Sequence, residues 1–195
     1  TSYTDRDVEA GVKYTYTVRG VASDGETLSP GYDKTGVSAK ATAVPENLGR
    51  GNCGAGGVDD SSVRWILTSD GTLTISGKGA MAMWGLDEHP WLELRDQIRS
   101  VVIRPGVTTV GSYAFSGCFN LEMVEFPNTL TTIGEEAFAD SNLRRVTIPD
   151  SVKTIQTDAF RWCPGLNYLH LGSGLATIGD SAFSSTNIIS VTLAE

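Results

Sequence analysis

Few side chains in this 195-residue sequence have the types and spacing that catalysis requires. His89 and His170 are the only histidines, and neither has a serine or cysteine nearby in a nucleophile motif. A histidine without such partners is far more often a surface residue than a catalytic one, so we expect both at the surface. The sequence therefore predicts no catalytic residues and no enzymatic activity.

Carboxylate pairs are the next candidates, because adjacent acids can hold calcium or transfer protons. Three pairs occur, at Asp59-Asp60, Asp87-Glu88 and Glu135-Glu136. None lies in the Asp-x-Asp-x-Asp-Gly pattern of a calcium loop, so we interpret all three as solvated surface patches. The cysteines and histidines also lack zinc-type spacing. We therefore expect no metal and no cofactor.

The overall composition limits the class of protein and of partner. Hydrophobic residues make up 40% of the chain and charged residues 19%, which is typical of a folded globular protein. The formal net charge of −8 argues against nucleic acid as the main partner, because phosphate binding requires a basic patch. No apolar run approaches the roughly 20 residues that a membrane helix needs, so we expect no membrane span.

The second half of the chain is built from a repeat. The dipeptide Ala-Phe recurs with its phenylalanines 23, 22 and 23 residues apart, at Phe115, Phe138, Phe160 and Phe183. Each copy begins with alternating apolar and polar residues, which indicates a strand with one buried face. The later Val-x-x-Ile step is too widely spaced to continue that strand, and the Ala-Phe segment should form a turn or a short helical piece. One copy cannot bury its own apolar residues, so the copies must stack with their strands in a parallel ladder.

The consensus L-x-x-V-x-I-P-x-x-V-x-x-I-G-x-x-A-F-x-x-C resembles the leucine-rich repeats of the BspA type. The resemblance covers residues 98–195, as four full copies and a truncated fifth. It implies an α+β, β-rich fold, namely a right-handed leucine-rich-repeat solenoid with a parallel strand ladder and short helical turns. It also implies a bacterial protein that is secreted or held at the cell surface. The asparagine of the usual repeat ladder is replaced here by Cys118, Ser141, Cys163 and Thr186.

Cys118 and Cys163 occupy the same repeat position, two repeats apart. Adjacent parallel strands lie about 4.8 Å apart, so these cysteines should lie roughly 10 Å apart. A disulfide requires Cα atoms within about 7 Å, so we expect two unbridged thiols in the core. Cys53 lies in a glycine-rich stretch and has no evident partner.

Residues 58–97 are predicted to form an N-terminal cap, because the first repeat would otherwise expose an apolar end. The Asp-Gly turn signal at Asp70 predicts a hairpin of residues 63–68 against residues 72–76. Within the same cap, residues 90–98 fit a short amphipathic helix that begins at a proline.

Trp84 and Trp91 lie in this cap segment, and we expect both in its core. Carbohydrate binding through these two tryptophans is the alternative interpretation, and it would make the chain a carbohydrate-binding module.

The first part of the chain has a different pattern. Residues 44–57 are rich in glycine and contain a proline, which predicts a linker. Residues 1–43 resemble the later strands of a fibronectin type III domain, because they contain Tyr-x-Tyr-x-Val-Arg from Tyr14 onward. Strands are predicted over residues 12–21 and 37–42. Only about half of such a domain is present, so we expect a small partial β-sandwich-like segment.

The repeat register also predicts which strand residues face outward, because residues at equal repeat positions stack in columns along a parallel ladder. The two predicted columns are Met123, Arg145, Tyr168 and Ser190, and Val102, Glu125, Thr147, His170 and Thr192; the candidates are the eight residues from Met123 onward. Methionine, arginine and tyrosine are enriched at binding surfaces. These eight residues are the candidate interaction surface, with an ordinary solvated sheet face as the alternative.

On this basis we expect a non-enzymatic interaction module of the adhesion type, which binds a protein or glycan on a host or neighbouring cell surface. The alternative is an accessory region of a larger extracellular enzyme, such as a glycan hydrolase. The sequence begins and ends inside recognisable patterns, which predicts a piece of a longer protein with a longer repeat array.

Overall fold

The computed structural model describes residues 13–16, 37–40 and 45–194. The chain forms two compact units, residues 1–45 and residues 46–195. The second unit contains thirteen strands and two short 3₁₀ helices in its described part. The strands are β3 (Asn47–Asn52), β4 (Val63–Thr68), β5 (Thr72–Gly77), β6 (Gly79–Ala80), β7 (Ser100–Ile103), β8 (Val107–Val110), β9 (Met123–Glu125), β10 (Thr132–Ile133), β11 (Arg145–Thr147), β12 (Thr154–Ile155), β13 (Tyr168–Leu171), β14 (Thr177–Ile178) and β15 (Ser190–Leu193), and the helices are Gly57–Asp59 and Leu92–Gln97.

The first unit contains strands β1 (Lys13–Tyr16) and β2 (Val37–Lys40). They pair antiparallel, with Lys13 opposite Lys40. Both strands fall inside the two stretches for which the sequence predicts strands. The rest of the predicted fibronectin-like segment lies outside the described residues, so its partial sandwich remains a prediction.

Strands from successive repeats build one long ladder along one side of the second unit. β3, β4 and β5 are antiparallel neighbours, after which β7 adds parallel to β5, and β9 parallel to β7. β11, β13 and β15 continue in parallel register, and the N–H of Arg144 donates to the carbonyl oxygen of Glu122 at 3.3 Å where the two sheets meet. The inward-facing residues of these strands, such as Val101 and Val146, are fully buried. The predicted parallel ladder is confirmed.

A second parallel ladder, which the sequence analysis did not predict, forms at the Val-x-x-Ile step. It runs β6, β8, β10, β12, β14 and uses strands as short as two residues. Thr132 pairs with Thr154 and Ile133 with Ile155. β-Branched residues favour an extended backbone. The strands of the neighbouring repeats provide the hydrogen bonds that hold each of these short segments in that conformation. Each coil of the solenoid therefore contributes a strand to two ladders.

The Ala-Phe segments form turns whose phenyl rings stack through the core. Ring centroids lie 5.0 Å apart between Phe115 and Phe138, 5.2 Å between Phe138 and Phe160, and 5.3 Å between Phe160 and Phe183. The N–H of Phe115 donates to the carbonyl oxygen of Ala137 at 2.8 Å, and the same bond recurs in the next two repeats. The turns are therefore joined by a ladder of their own, and the fold is a β-solenoid whose only helical pieces in the described part are 3₁₀.

The cap contains the predicted hairpin, with β4 and β5 paired antiparallel. At its turn, Gly71 has a φ of +82°, and a Cβ there would lie 2.8 Å from the carbonyl oxygen of Gln97. The predicted amphipathic helix is instead the six-residue 3₁₀ helix Leu92–Gln97. The N–H of Leu94 reaches back only three residues, to the carbonyl oxygen of Trp91. A segment this short does not sustain an α-helix on its own.

The predicted linker is corrected by the structure, because Asn47–Asn52 form the edge strand β3. Its glycines have a packing reason. A Cβ at Gly49 would lie 3.0 Å from the indole ring of Trp65, and a Cβ at Gly51 would lie 2.8 Å from the Nε1 of that ring. The glycines therefore let the edge strand lie directly on a buried tryptophan.

The expected surface position of His89 is wrong. Its side chain is 3% exposed and stacks on Trp91, with ring centroids 5.6 Å apart. Neither ring nitrogen has a hydrogen-bond partner within the described part of the chain. Burial, and secondarily the charge of Arg95, lowers the pKa of His89 to about 4. This histidine is therefore a neutral core residue of the cap.

The cysteines are free and buried, as expected for Cys118 and Cys163. Burial raises the pKa of Cys53 and of Cys118 to about 12. The thiol of Cys163 donates to the carbonyl oxygen of Phe138 at 3.2 Å and lies 3.2 Å from the hydroxyl of Ser141. Cys163 and Ser141 therefore bond across neighbouring coils at the position where other leucine-rich repeats use asparagine.

Candidate interaction surface

The two predicted columns are side by side on the outward face of the first ladder. The register places Arg145 beside Tyr168 and Tyr168 beside Ser190. It likewise places His170 between its neighbours Thr147 and Thr192. Alternation along a strand separates these residues from the buried Val146 and Leu169.

All eight predicted residues are exposed or half-buried. Met123 is 62% exposed and Tyr168 is 44% exposed. The structure therefore places every candidate on the surface. Whether they bind a partner remains a prediction.

Two contacts fix the centre of this face. The guanidinium carbon of Arg145 lies 4.8 Å from the ring centroid of Tyr168, in a cation–π arrangement. The Nδ1 of His170 and the hydroxyl of Thr192 are hydrogen-bonded at 2.9 Å. Each contact joins adjacent strands, so the side chains are held relative to one another.

A shallow groove of about 230 Å³ lies at these residues. The outward-facing side chains that line it are Arg145, Thr147, Tyr168, His170, Ser190 and Thr192. Cationic, aromatic and hydroxyl groups thus meet in one place, which suits recognition of a ligand that has both a flat apolar face and polar substituents. The hydroxyl of Thr192 is paired with the imidazole of His170, but no third side chain in the described part of the chain hydrogen-bonds to that imidazole to orient it as a catalytic base.

Charges around the groove are unevenly paired. The Nε of Arg144 lies 3.3 Å from a carboxylate oxygen of Glu122. Arg145 has no carboxylate within 4.0 Å in the part of the chain that the structure describes. The backbone N–H and the hydroxyl of Ser173 hold the pKa of Asp150 below its usual range, with a smaller contribution from His170. Because no carboxylate of the described residues pairs with it, the guanidinium of Arg145 is available to an anion from outside the chain.

The cap extends this face, which the sequence analysis missed. Thr74 of the hairpin is in register with Val102 on one side and with Ile66 on the other, and Ile66 is 42% exposed. The alternating pattern of the hairpin could have indicated this, had its register with the first repeat been known. The outward surface therefore runs without interruption from the cap to β15.

A second concavity of about 510 Å³ lies at the last repeat, between the ends of the two ladders. Its apolar lining includes Ile178 and Leu193, which are 47% and 71% exposed. The equivalent Ile155, one repeat earlier, is fully buried. This concavity therefore consists of core positions that no further coil covers in this structure.

Other chemistry finds little support in the described residues. Among residues 13–16, 37–40 and 45–194, no group of three or more His, Cys, Asp or Glu side chains is placed to hold a metal. Trp91 is fully buried and offers no ring face for a sugar, whereas Trp84 is half-buried and packs against the core. None of the helices in this part of the chain is long and apolar enough to cross a membrane.

Comparisons with known proteins agree with the solenoid. A leucine-rich repeat protein from Eubacterium ventriosum has 25% sequence identity and a TM-score of 0.57 over 70% of this chain and 43% of its own. The leucine-rich repeat protein of T. pallidum has 25% identity and a TM-score of 0.49 over 67% of this chain and 68% of its own. The chain thus spans less than half the length of the Eubacterium protein. No curated protein sequence matches the chain.

The family model described as "BspA type Leucine rich repeat region (6 copies)" matches residues 94–195. That is 102 of the 195 residues, and it begins four residues before the predicted start of the repeats. The match covers β7 to β15 and the four stacked phenylalanines, whereas β3 to β6 of the two ladders precede it. The chain therefore belongs to the family of BspA-type leucine-rich repeat proteins.

Proposed function

We propose that this chain is a non-enzymatic interaction module of the adhesion type, in a bacterial protein that is secreted or held at the cell surface. It binds a protein or glycan through the outward face of the first ladder. The observation that carries this proposal is the grouping of Arg145, Tyr168 and His170 around one groove. The rest of the ladder is a rigid support for these side chains.

Both physical arguments and membership of the repeat family support the proposed binding function. A repeat solenoid buries its apolar residues inside each coil and presents a broad, regular surface, which suits binding more than the enclosure of a reaction. The exposed ring of Tyr168 is already held by Arg145, so it loses solvent contact on binding at little further entropic cost. Membership of a repeat family that is found in bacterial surface proteins supports the extracellular location.

The test is capture of partners by the full chain on an array of extracellular-matrix proteins, mucin and defined glycans. The variant Arg145→Ala/Tyr168→Ala/His170→Ala should lose at least tenfold in affinity for any captured partner. A matched control, Arg144→Ala/Lys153→Ala, changes exposed cations outside the two columns and should bind within twofold of the parent. Equal binding by the triple variant and the parent, with both folded by circular dichroism, would move the site away from this face.

A further inference from the structure

We propose that the groove beside Tyr168 binds one acidic sugar unit of a glycan, with the carboxylate or sulfate of that sugar on Arg145. The inference rests on the proposed function, because it names the ligand class of the same face. It goes further in stating which chemical group each side chain recognises.

Arg145 carries a charge that no carboxylate of the described residues neutralises. In a chain with a formal charge of −8, this arginine has no carboxylate partner among the described residues, although its neighbour Arg144 has one in Glu122. The ring of Tyr168 supports its guanidinium, which leaves the N–H groups on the guanidinium edge free. A planar guanidinium of this kind donates two parallel hydrogen bonds to a carboxylate or sulfate.

The two faces of the Tyr168 ring have different neighbours. One face is covered by Arg145, its neighbour in the register. On the other side the register places Ser190, whose side chain is too short to cover a phenol ring. That face is therefore open toward the groove. The C–H face of a pyranose ring is flat and apolar, and it suits an open aromatic face of this size.

The rim of the groove is polar. The hydroxyls of Ser190, Thr147 and Thr192 line the groove together with His170. The bond from the Nδ1 of His170 to Thr192 fixes the imidazole, and its Nε2 makes no hydrogen bond within the described part of the chain. An apolar peptide side chain in this groove would leave these groups desolvated and unpaired. Sugar hydroxyls would pair with them.

The volume of the groove limits the size of its ligand. Pockets for drug-sized ligands enclose about 300–1,000 Å³. The groove measures about 230 Å³ and is open to solvent, so it holds a single ring and not a long chain segment. Further sugar units would extend along the ladder, toward Met123 or beyond β15. The proposed ligand is therefore one acidic residue within a longer glycan.

The test is a titration of the ¹⁵N-labelled full chain, followed by NMR chemical shifts. The probes are D-glucuronic acid, N-acetylneuraminic acid and galactose 6-sulfate, with D-glucose, D-galactose and inorganic sulfate as comparisons. We expect at least one acidic sugar to bind at least tenfold more tightly than the neutral sugars and inorganic sulfate, with shifts at Tyr168, His170 and Ser190. The carboxylated and sulfated arms show which anion is preferred.

Variants locate the contact. Arg145→Met should weaken binding of that acidic sugar at least tenfold, and Ser190→Tyr should do the same by filling the groove while Arg145 remains. Arg144→Met removes an equal charge from the adjacent residue and should change the affinity for the acidic sugar by less than twofold. Arg145→Lys keeps the charge without the planar fork and should be intermediate.

Three outcomes would overturn the inference. These are neutral sugars that bind as tightly as acidic ones, inorganic sulfate that binds as tightly as the sulfated sugar, and Arg144→Met with the same loss as Arg145→Met. If no acidic sugar binds but the array partner still depends on Arg145, Tyr168 and His170, this inference falls and the proposed function stands. If neither depends on these residues, both fall.

Discussion

The indole ring of Trp91 stacks on the phenyl ring of Phe115, with centroids 5.4 Å apart and an angle of 16° between the planes. The indole Nε1 also donates to the carbonyl oxygen of Ala114 at 2.9 Å. Trp91 thus takes, in the cap, the place that phenylalanine takes in each repeat. The aromatic stack begins in the cap and continues through the repeats, so cap and array share one core.

Replacement of Trp91 should therefore destabilise the array as well as the cap. Trp91→Ala should lower the free energy of unfolding by about 3–5 kcal/mol, because it removes a fully buried aromatic side chain. Trp91→Phe keeps a ring in the stack but loses the bond to Ala114, and should cost about 1–2 kcal/mol. Urea unfolding followed by circular dichroism measures both. Equal losses for the two variants would show that the ring stack contributes nothing.

The position of a phenylalanine in the stack should decide how much it contributes. Phe138 is fully buried between two rings, whereas Phe183 has one stacked neighbour in the described part of the chain and is only partly buried. Phe138→Ala should cost about 3–5 kcal/mol of unfolding free energy. Phe183→Ala should cost roughly half of that or less, because folding removes less apolar surface of Phe183 than of Phe138 from contact with water. The same residue type in the same turn makes each variant the control of the other, and a larger loss at Phe183 would contradict the stacked core.

Most of the fold can be predicted from the repeat period, because residues at the same position of successive repeats stack on one another in space. The ladder of β7, β9, β11, β13 and β15 and the buried phenylalanines follow from it directly. The second ladder does not, since strands such as Thr132–Ile133 are too short to show an alternation and depend on neighbouring coils. The edge strand Asn47–Asn52 was hidden because its glycines, which face Trp65, have the composition of a linker.

The sequence predicts which residues of the candidate site stand in the same column of the sheet, but not the contacts that their side chains make. Register alone places Arg145, Tyr168 and Ser190 in a row, but the stacking of Arg145 on one face of Tyr168 depends on rotamers that sequence does not specify. The burial of His89 could not be predicted either, because it depends on the stacking of Trp91 on Phe115, 24 residues further along the chain. Local sequence therefore identified the surface, and packing decided its chemistry.

The thiols should be unreactive in the folded chain. All three cysteines are buried, and burial raises the pKa of each, to about 12 for Cys53 and Cys118. Because the thiolate is the nucleophile, Ellman's reagent at pH 8 should label almost none of the native protein within an hour. It should label all three thiols in urea. The variant Thr147→Cys places a thiol on the exposed face and should react within minutes. Rapid labelling of the parent would show that the core opens far more often than its packing implies.

His89 should make the cap sensitive to acid. Its ring is buried beside the ion pair of Arg95 with Asp87, and burial, then Arg95, lowers its pKa from 6.5 to about 4. Between pH 4 and pH 6.5 the unfolded chain therefore binds more protons at this site than the folded chain does. The contribution of His89 to stability is constant above about pH 6.5, falls as the pH drops through this window, and levels off below about pH 4. The full loss is about 3 kcal/mol.

The variant His89→Phe isolates this contribution, because it keeps an aromatic ring on Trp91 and removes the titrating nitrogens. Urea unfolding at pH 4, 5, 6 and 7 should show a shallower loss of stability in the variant than in the parent, with the two curves diverging most at pH 4. Parallel curves for the parent and His89→Phe would mean that the buried imidazole gains its proton without opening the cap. The cap would then have to supply a hydrogen-bond partner that the packing around Trp91 does not offer.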